Sequence, residues 1–137
     1  MTEDKIQLVL PSRLEAVSDA AAAAAEAVGR SGLGDDVGFG VDMAVREAVA
    51  NAIRHGNQQD ETKTVEVTFT TSTDAFTVEV RDQGSGFTPE SVPDPTDAAN
   101  LLKSSGRGIF FMRNFMDLVE WSNPPGGGTL VRMTKRM

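Results

Sequence analysis

The order in which hydrophobic periods change along the chain limits the fold more than any other feature. Ile6, Leu8 and Leu10 alternate with Gln7 and Val9 and stop at Pro11, which reads as a short first strand. Ser12 is a candidate N-cap for a helix running from Arg13 to about Val28. The run Ala20 to Ala25 is low in complexity, but alanine is the best helix former, and Leu14, Val17 and Val28 give the segment a packing face. Gly29, Gly32 and Gly34 are expected to break it. Asp35 and Asp36 open a second helix where its macrodipole favours acids, and Val37, Val41, Ala44, Ala48 and Ala52 recur at three- and four-residue intervals until Gly56.

The period then changes to two. Val65, Val67 and Phe69 predict a second strand and Phe76, Val78 and Val80 a third, joined as an antiparallel hairpin by Ser72-Thr73-Asp74. Between Ser85 and Ser105 the pattern dissolves; Pro89, Pro93 and Pro95 forbid a long helix, although Thr96 to Lys103 has room for a short one. Arg107 to Met116 is a third amphipathic helix, followed by strands at Leu118 to Trp121 and Thr129 to Thr134 around Asn123-Pro124-Pro125-Gly126-Gly127-Gly128. The order β-α-α-β-β-loop-α-β-β predicts an α/β (α+β) two-layer sandwich in a single domain over residues 1–137.

Composition removes several classes of function. The absence of cysteine excludes disulfides and thiolate metal sites and fits a reducing compartment. No apolar run has the length of a signal peptide or a membrane span, so a cytoplasmic location and no membrane partner are expected. The net charge of −7 argues against direct nucleic-acid binding. An acidic chain that holds an anion must therefore do so locally, with backbone amides, a cation or a few basic side chains.

Three clusters carry potential chemistry. Glu47, Asn51 and His55 are four apart on the second helix, and steps of about 40° per four residues make them a slanting polar stripe. Such a stripe is often only a solvated edge, yet Asn is a poor helix former unless its carboxamide has a role. Asn51 offers a hard oxygen to Mg²⁺, and Glu47, one turn away, is placed to orient or deprotonate an attacking hydroxyl. His55 is read as a helix-end polar contact.

Asp82 follows the third strand and precedes Gly84 and Gly86, which permit a tight turn. Beyond that turn role, an ionised Asp82 accepts a hydrogen bond from the exocyclic amine of adenine, where guanine has a carbonyl, and Thr129 is a candidate to reach the same base. Gly106-Arg107-Gly108 precedes helix amides able to hold phosphate, with Ser105, Ser104 and Lys103 beside it. The same triplet also suits a hinge. No G-x-x-x-x-G-K-[ST] is present, which excludes a P-loop.

Taken in order, Glu47 to Asn51, Asp82 to Gly86 and Gly106 to Gly108 resemble the N, G1 and G2 boxes of the GHKL ATPase superfamily. The stretches Glu47 to Gly56, Ser105 to Asp117 and Gly128 to Lys135 are similar to the bacterial anti-sigma-factor serine/threonine kinases. The resemblance implies a Bergerat-type fold, with a mixed, mostly antiparallel sheet and helices on one face. It implies ATP and Mg²⁺ as cofactors, Glu47 as base and Asn51 as the Mg²⁺ and ATP ligand. It further implies Asp82, Gly84, Gly86 and Thr129 around adenine, and Ser105, Gly106, Arg107 and Gly108 at the phosphates, under a lid over about residues 87–105.

The implied partners are a sigma factor, which is sequestered, and a STAS-type antagonist, phosphorylated on Ser or Thr, with the kinase as a homodimer. A dimerisation helix bearing a phosphoacceptor histidine and a gyrase-type transducer domain have no counterpart in the sequence. The alternative expectation is a nucleotide-gated ATP/ADP-binding module with little catalysis.

Overall fold

The computed structural model describes residues 4–84 and 112–136. Within them lie strand β1 (Asp4–Pro11), helices α1 (Ala16–Ser31) and α2 (Asp35–Asn51), a π-helical turn (Ala52–Gly56), and strands β2 (Thr64–Thr71), β3 (Ala75–Arg81), β4 (Leu118–Ser122) and β5 (Leu130–Arg136). The strands form one sheet in the order β1-β2-β3-β5-β4. The two-layer α+β expectation holds, and over the described residues the sheet is antiparallel at every pairing.

The period-two pattern fixes the register. Val67 faces Leu8 on one side and Val80 on the other, and Val80 faces Val131, so one apolar row crosses four strands. Val65, Val67, Phe69, Phe76, Val78, Val80 and Met133 are buried on this face against Ala20, Ala24, Val41, Ala44, Val45, Ala48 and Val49 of the helices. Small alanines let α1 lie close, and burying several of them compensates for the little area each removes from water. Met112 and Met116 are also buried, while Phe115 closes on Gly40, where an added Cβ would lie 3.1 Å from its ring. Phe39 meets Phe115 edge to face, with ring centroids 6.1 Å apart.

Three expectations about helix ends are corrected. Ser12 is no N-cap: α1 starts at Ala16, with Glu15 at the cap position and no side-chain cap, and the Ser12 hydroxyl instead donates to the Lys63 carbonyl at 2.8 Å. Gly29 does not break α1, which continues to Ser31 and stops at Gly32, whose φ of 84° terminates it in the left-handed region. Gly56 ends a π-turn rather than an α-helix. The expected hairpin at Ser72-Thr73-Asp74 is present, closed by the Ser72 amide donating to the Ala75 carbonyl at 2.9 Å. Among the described residues no helix is long and apolar enough to cross a membrane.

Burial separates the two aromatic environments. Phe76 is fully buried beside Phe69, whereas Phe39 is 62% exposed. Phe76→Ala is expected to cost about 3–5 kcal/mol, and Phe39→Ala about 1 kcal/mol. Urea unfolding of the two variants checks the contrast, and equal losses would contradict this assignment of the core.

Candidate functional site

The site is built around one carboxylate at the end of the sheet. Asp82 follows the last residue of β3 and is only 6% exposed. Its amide donates to the Thr129 carbonyl at 3.0 Å. Its Oδ1 accepts two backbone amides, from Gly84 at 2.9 Å and from Thr129 at 3.1 Å. Thr129 is itself buried just before β5, so the side chain is held between two strand ends. Among the described residues Oδ2 has no hydrogen-bond partner.

Three glycines make this packing possible. A Cβ on Gly56 would collide with the Asp82 carboxylate, and one on Gly84 with the Gly56 carbonyl. Gly128, at φ +83°, has no room because the Asp82 carbonyl occupies the place of its Cβ. Desolvation pushes the Asp82 carboxyl above its ordinary range; the Gly84 and Thr129 amides and the charge of Lys63 pull the other way without cancelling it. The result is a carboxylate with one oxygen held by two backbone amides and the other, set against Gly56, without a hydrogen-bond partner among the described residues.

The second helix reaches this carboxylate through its π-turn. The Asn57 amide donates to the Ala52 carbonyl at 2.8 Å, an i→i−5 bond that closes the turn and brings Gly56 against Asp82. Glu47 and Asn51 are on the preceding α-helix, half-buried, and neither side chain has a hydrogen-bond partner among the described residues. At about 1.5 Å rise per residue, Asn51 lies roughly 7 Å and Glu47 roughly 13 Å along the helix from Gly56. His55 falls within the π-turn and is exposed, so the stripe expected for Glu47, Asn51 and His55 keeps its regular spacing only over its first two members. No group of three or more His, Cys, Asp or Glu side chains able to hold a metal occurs among the described residues.

Of the residues expected from sequence, Asp82, Gly84 and Thr129 come together, with Glu47 and Asn51 on the helix that abuts them. Gly86, Ser105, Gly106, Arg107 and Gly108, and the lid expected over about 87–105, lie outside the described residues. Gly56, expected as a helix stop, and Gly128, expected at a hairpin end, also belong to stretches that carry the family resemblance, but their packing on Asp82 is not announced by the sequence. Asn57 was not singled out, because its burial and its partners, 45 residues away at Ser12 and 26 away at Gln83, leave no local pattern in the sequence.

Residues 10–135 match the histidine kinase-like ATPase domain family. The chain belongs to that family. Among the relatives of this chain, the anti-sigma F factor of Thermoanaerobacter sp. (strain X514) is 37% identical over 97 residues, which cover 69% of this chain and 67% of the relative. The anti-sigma F factor of Bacillus subtilis (strain 168) is 34% identical over 99 residues, covering 71% and 68% respectively. These relatives support the resemblance to the GHKL anti-sigma-factor kinases. The fold also matches a chain in the crystal structure of the SiaB-SiaC complex from Pseudomonas aeruginosa, with TM-score 0.71 and 13% identity over 94% of this chain and 88% of that chain.

The raised pKa of Asp82 has a defined sign in stability. A carboxyl whose folded value lies above its unfolded value favours folding most when protonated, and that contribution is lost as pH rises through the folded value. Asp82→Asn keeps an Oδ1 acceptor for both amides and does not titrate. The variant is therefore expected to gain stability relative to wild type as pH rises from the ordinary carboxylate range, about pH 4, through the folded value, read by paired denaturant titrations; a gap that moves the other way would refute burial as the dominant cause. Gly84→Ala forces a methyl into the Gly56 carbonyl and is expected to cost about 1–3 kcal/mol.

Proposed function

We propose that this chain is an anti-sigma factor that binds ATP with Mg²⁺ and phosphorylates a serine or threonine of a STAS-type antagonist, sequestering a sigma factor when the antagonist is absent or phosphorylated. The observation that carries the reading is the Asp82 carboxylate. It is buried, its Oδ1 is anchored by two amides, and its Oδ2 has no partner among the described residues, within a histidine kinase-like ATPase domain. The names of the relatives supply the anti-sigma role. Homodimerisation and a cytoplasmic location belong to the same reading, and direct binding to nucleic acid or membrane does not.

On this reading Oδ2 accepts a hydrogen bond from the adenine amine, while Gly56, Gly84 and Gly128 let the backbone pack closely enough around Asp82 to fix the direction of its carboxylate. Guanine would set a carbonyl against the carboxylate, so the site discriminates by repulsion as well as attraction. Thr129 holds Asp82 through its backbone and borders the base. Residues 105–108 and Gly86 are assigned to the phosphates and the ring by sequence. Asn51 fits Mg²⁺ as a half-buried carboxamide with no partner among the described residues, one helical turn from Glu47. When bound, the ion neutralises charge on the phosphates of ATP.

Glu47 takes the proton of the attacking hydroxyl as the new oxygen–phosphorus bond forms. The bond from the γ-phosphorus to the bridging oxygen breaks, and ADP leaves with that electron pair. Positioning and charge stabilisation provide most of the acceleration, with the base contributing about 10²–10⁴-fold.

With Mg·ATP and a STAS protein from the same source, Glu47→Ala is expected to slow phosphate transfer by about 10²-fold or more, while ADP still raises the melting temperature. Transfer by the variant at the wild-type rate would remove Glu47 as base. An ADP-induced shift with no transfer by the wild-type chain would favour the nucleotide-gated binding module instead.

A further inference from the structure

We propose that Asn57 is a positioning residue that sets Asp82 for its ligand, an inference that rests on the nucleotide reading above. Asn57 is 1% exposed, and all of its carboxamide is in use. Its Nδ2 donates to the Ser12 hydroxyl at 2.8 Å and to the Thr64 carbonyl at 2.9 Å, and its Oδ1 accepts the Gln83 amide at 2.7 Å. One side chain therefore ties the chain just after β1, the start of β2 and the turn after β3. Its own backbone adds two bonds, the amide closing the π-turn on Ala52 and the carbonyl accepting the Asp60 amide at 3.0 Å.

The bond that matters for the site is the one to Gln83, which lies between Asp82 and Gly84. Asp82 is held toward β5 by Thr129, and the Asn57–Gln83 bond holds the same turn from the opposite side, toward β2. The Gln83 side chain repeats the link, accepting the Thr64 amide at 2.7 Å. Asn57 also closes the turn that carries Gly56 onto the Asp82 carboxylate. Gln58 and Gln59, at φ 53° and 57°, follow it in the left-handed region that non-glycine residues seldom adopt, and that strain persists only where surrounding bonds over-determine the backbone. A buried polar group satisfied this fully specifies one arrangement, and the arrangement specified here includes the direction of Asp82.

Ser12 separates positioning from stability, because Ser12→Ala removes one Asn57 partner and leaves the Gln83 bond intact. The test measures ADP and GDP affinity by calorimetry on the full chain, at a temperature where circular dichroism shows each variant folded. Amide exchange of Gln83, Gly84 and Thr129 is recorded without nucleotide. Asn57→Ala is expected to weaken ADP binding about tenfold and narrow the preference for ADP over GDP, with faster exchange at Gly84. Ser12→Ala is expected to lower the melting temperature and leave the ADP affinity within about twofold of wild type.

The proposal is overturned if Asn57→Ala binds ADP as wild type does, or if Ser12→Ala weakens ADP equally for the same loss of stability. Should Asn57→Ala fail to fold, the wild-type chain still decides: the Gln83 amide must exchange slowly, and exchange at the rate of an unprotected amide overturns the clamp. A wild-type chain that binds no ADP would defeat the proposed function instead, and the exchange comparison would still report whether Asn57 holds the Asp82 turn.

Discussion

A carboxylate removed from water must be compensated locally, and here Thr129 and Gly84 do so with two amides on a single oxygen. That arrangement dictates much of what surrounds it. β3 and β5 must be adjacent for Thr129 to reach Asp82, and their register places Arg81 opposite Leu130, immediately before the bonded pair. Gly56, Gly84 and Gly128 must lack side chains, because each occupies space that the carboxylate, its carbonyl or the helix end requires. The cost of desolvation survives these compensations and appears as the raised pKa of the group. A site that tolerates such a cost has kept a charge where an apolar residue would pack more cheaply.

The second constraint is how the helix arrives. An α-helix continuing through residues 52–56 would close its bonds four residues apart, whereas Asn57 bonds five residues back to Ala52. The widened turn ends with Gly56 against Asp82 and Asn57 buried behind it. Glu47 and Asn51 then project from a helix whose end is fixed against Asp82 through Gly56, so their positions are set relative to Asp82 by rigid elements rather than by loops.

The strands were legible because period two leaves little freedom: the alternation in Val65 to Phe69 and Phe76 to Val80 reappears as buried side chains on one sheet face. Asp82, Gly84 and Thr129 were legible because an acid at a strand exit followed by glycines is a local pattern. Helix ends were less so. Gly29 looked like a breaker, but Ala24 and Ala27 continue the buried face and outweigh a single interior glycine, which costs about 1 kcal/mol. The π-turn has no repeating signature in one turn of sequence. Ser12 resembled a cap because its partner Asn57 lies 45 residues away, and no local pattern announces a contact of that range.

The most direct measurement is a crystal structure of the chain grown with Mg·ADP. The account predicts the adenine amine within hydrogen-bond distance of Asp82 Oδ2, Oδ1 still on the Gly84 and Thr129 amides, and the Asn51 carboxamide oxygen on the cation. Nucleotide bound elsewhere, or a base that leaves Asp82 untouched, would contradict it.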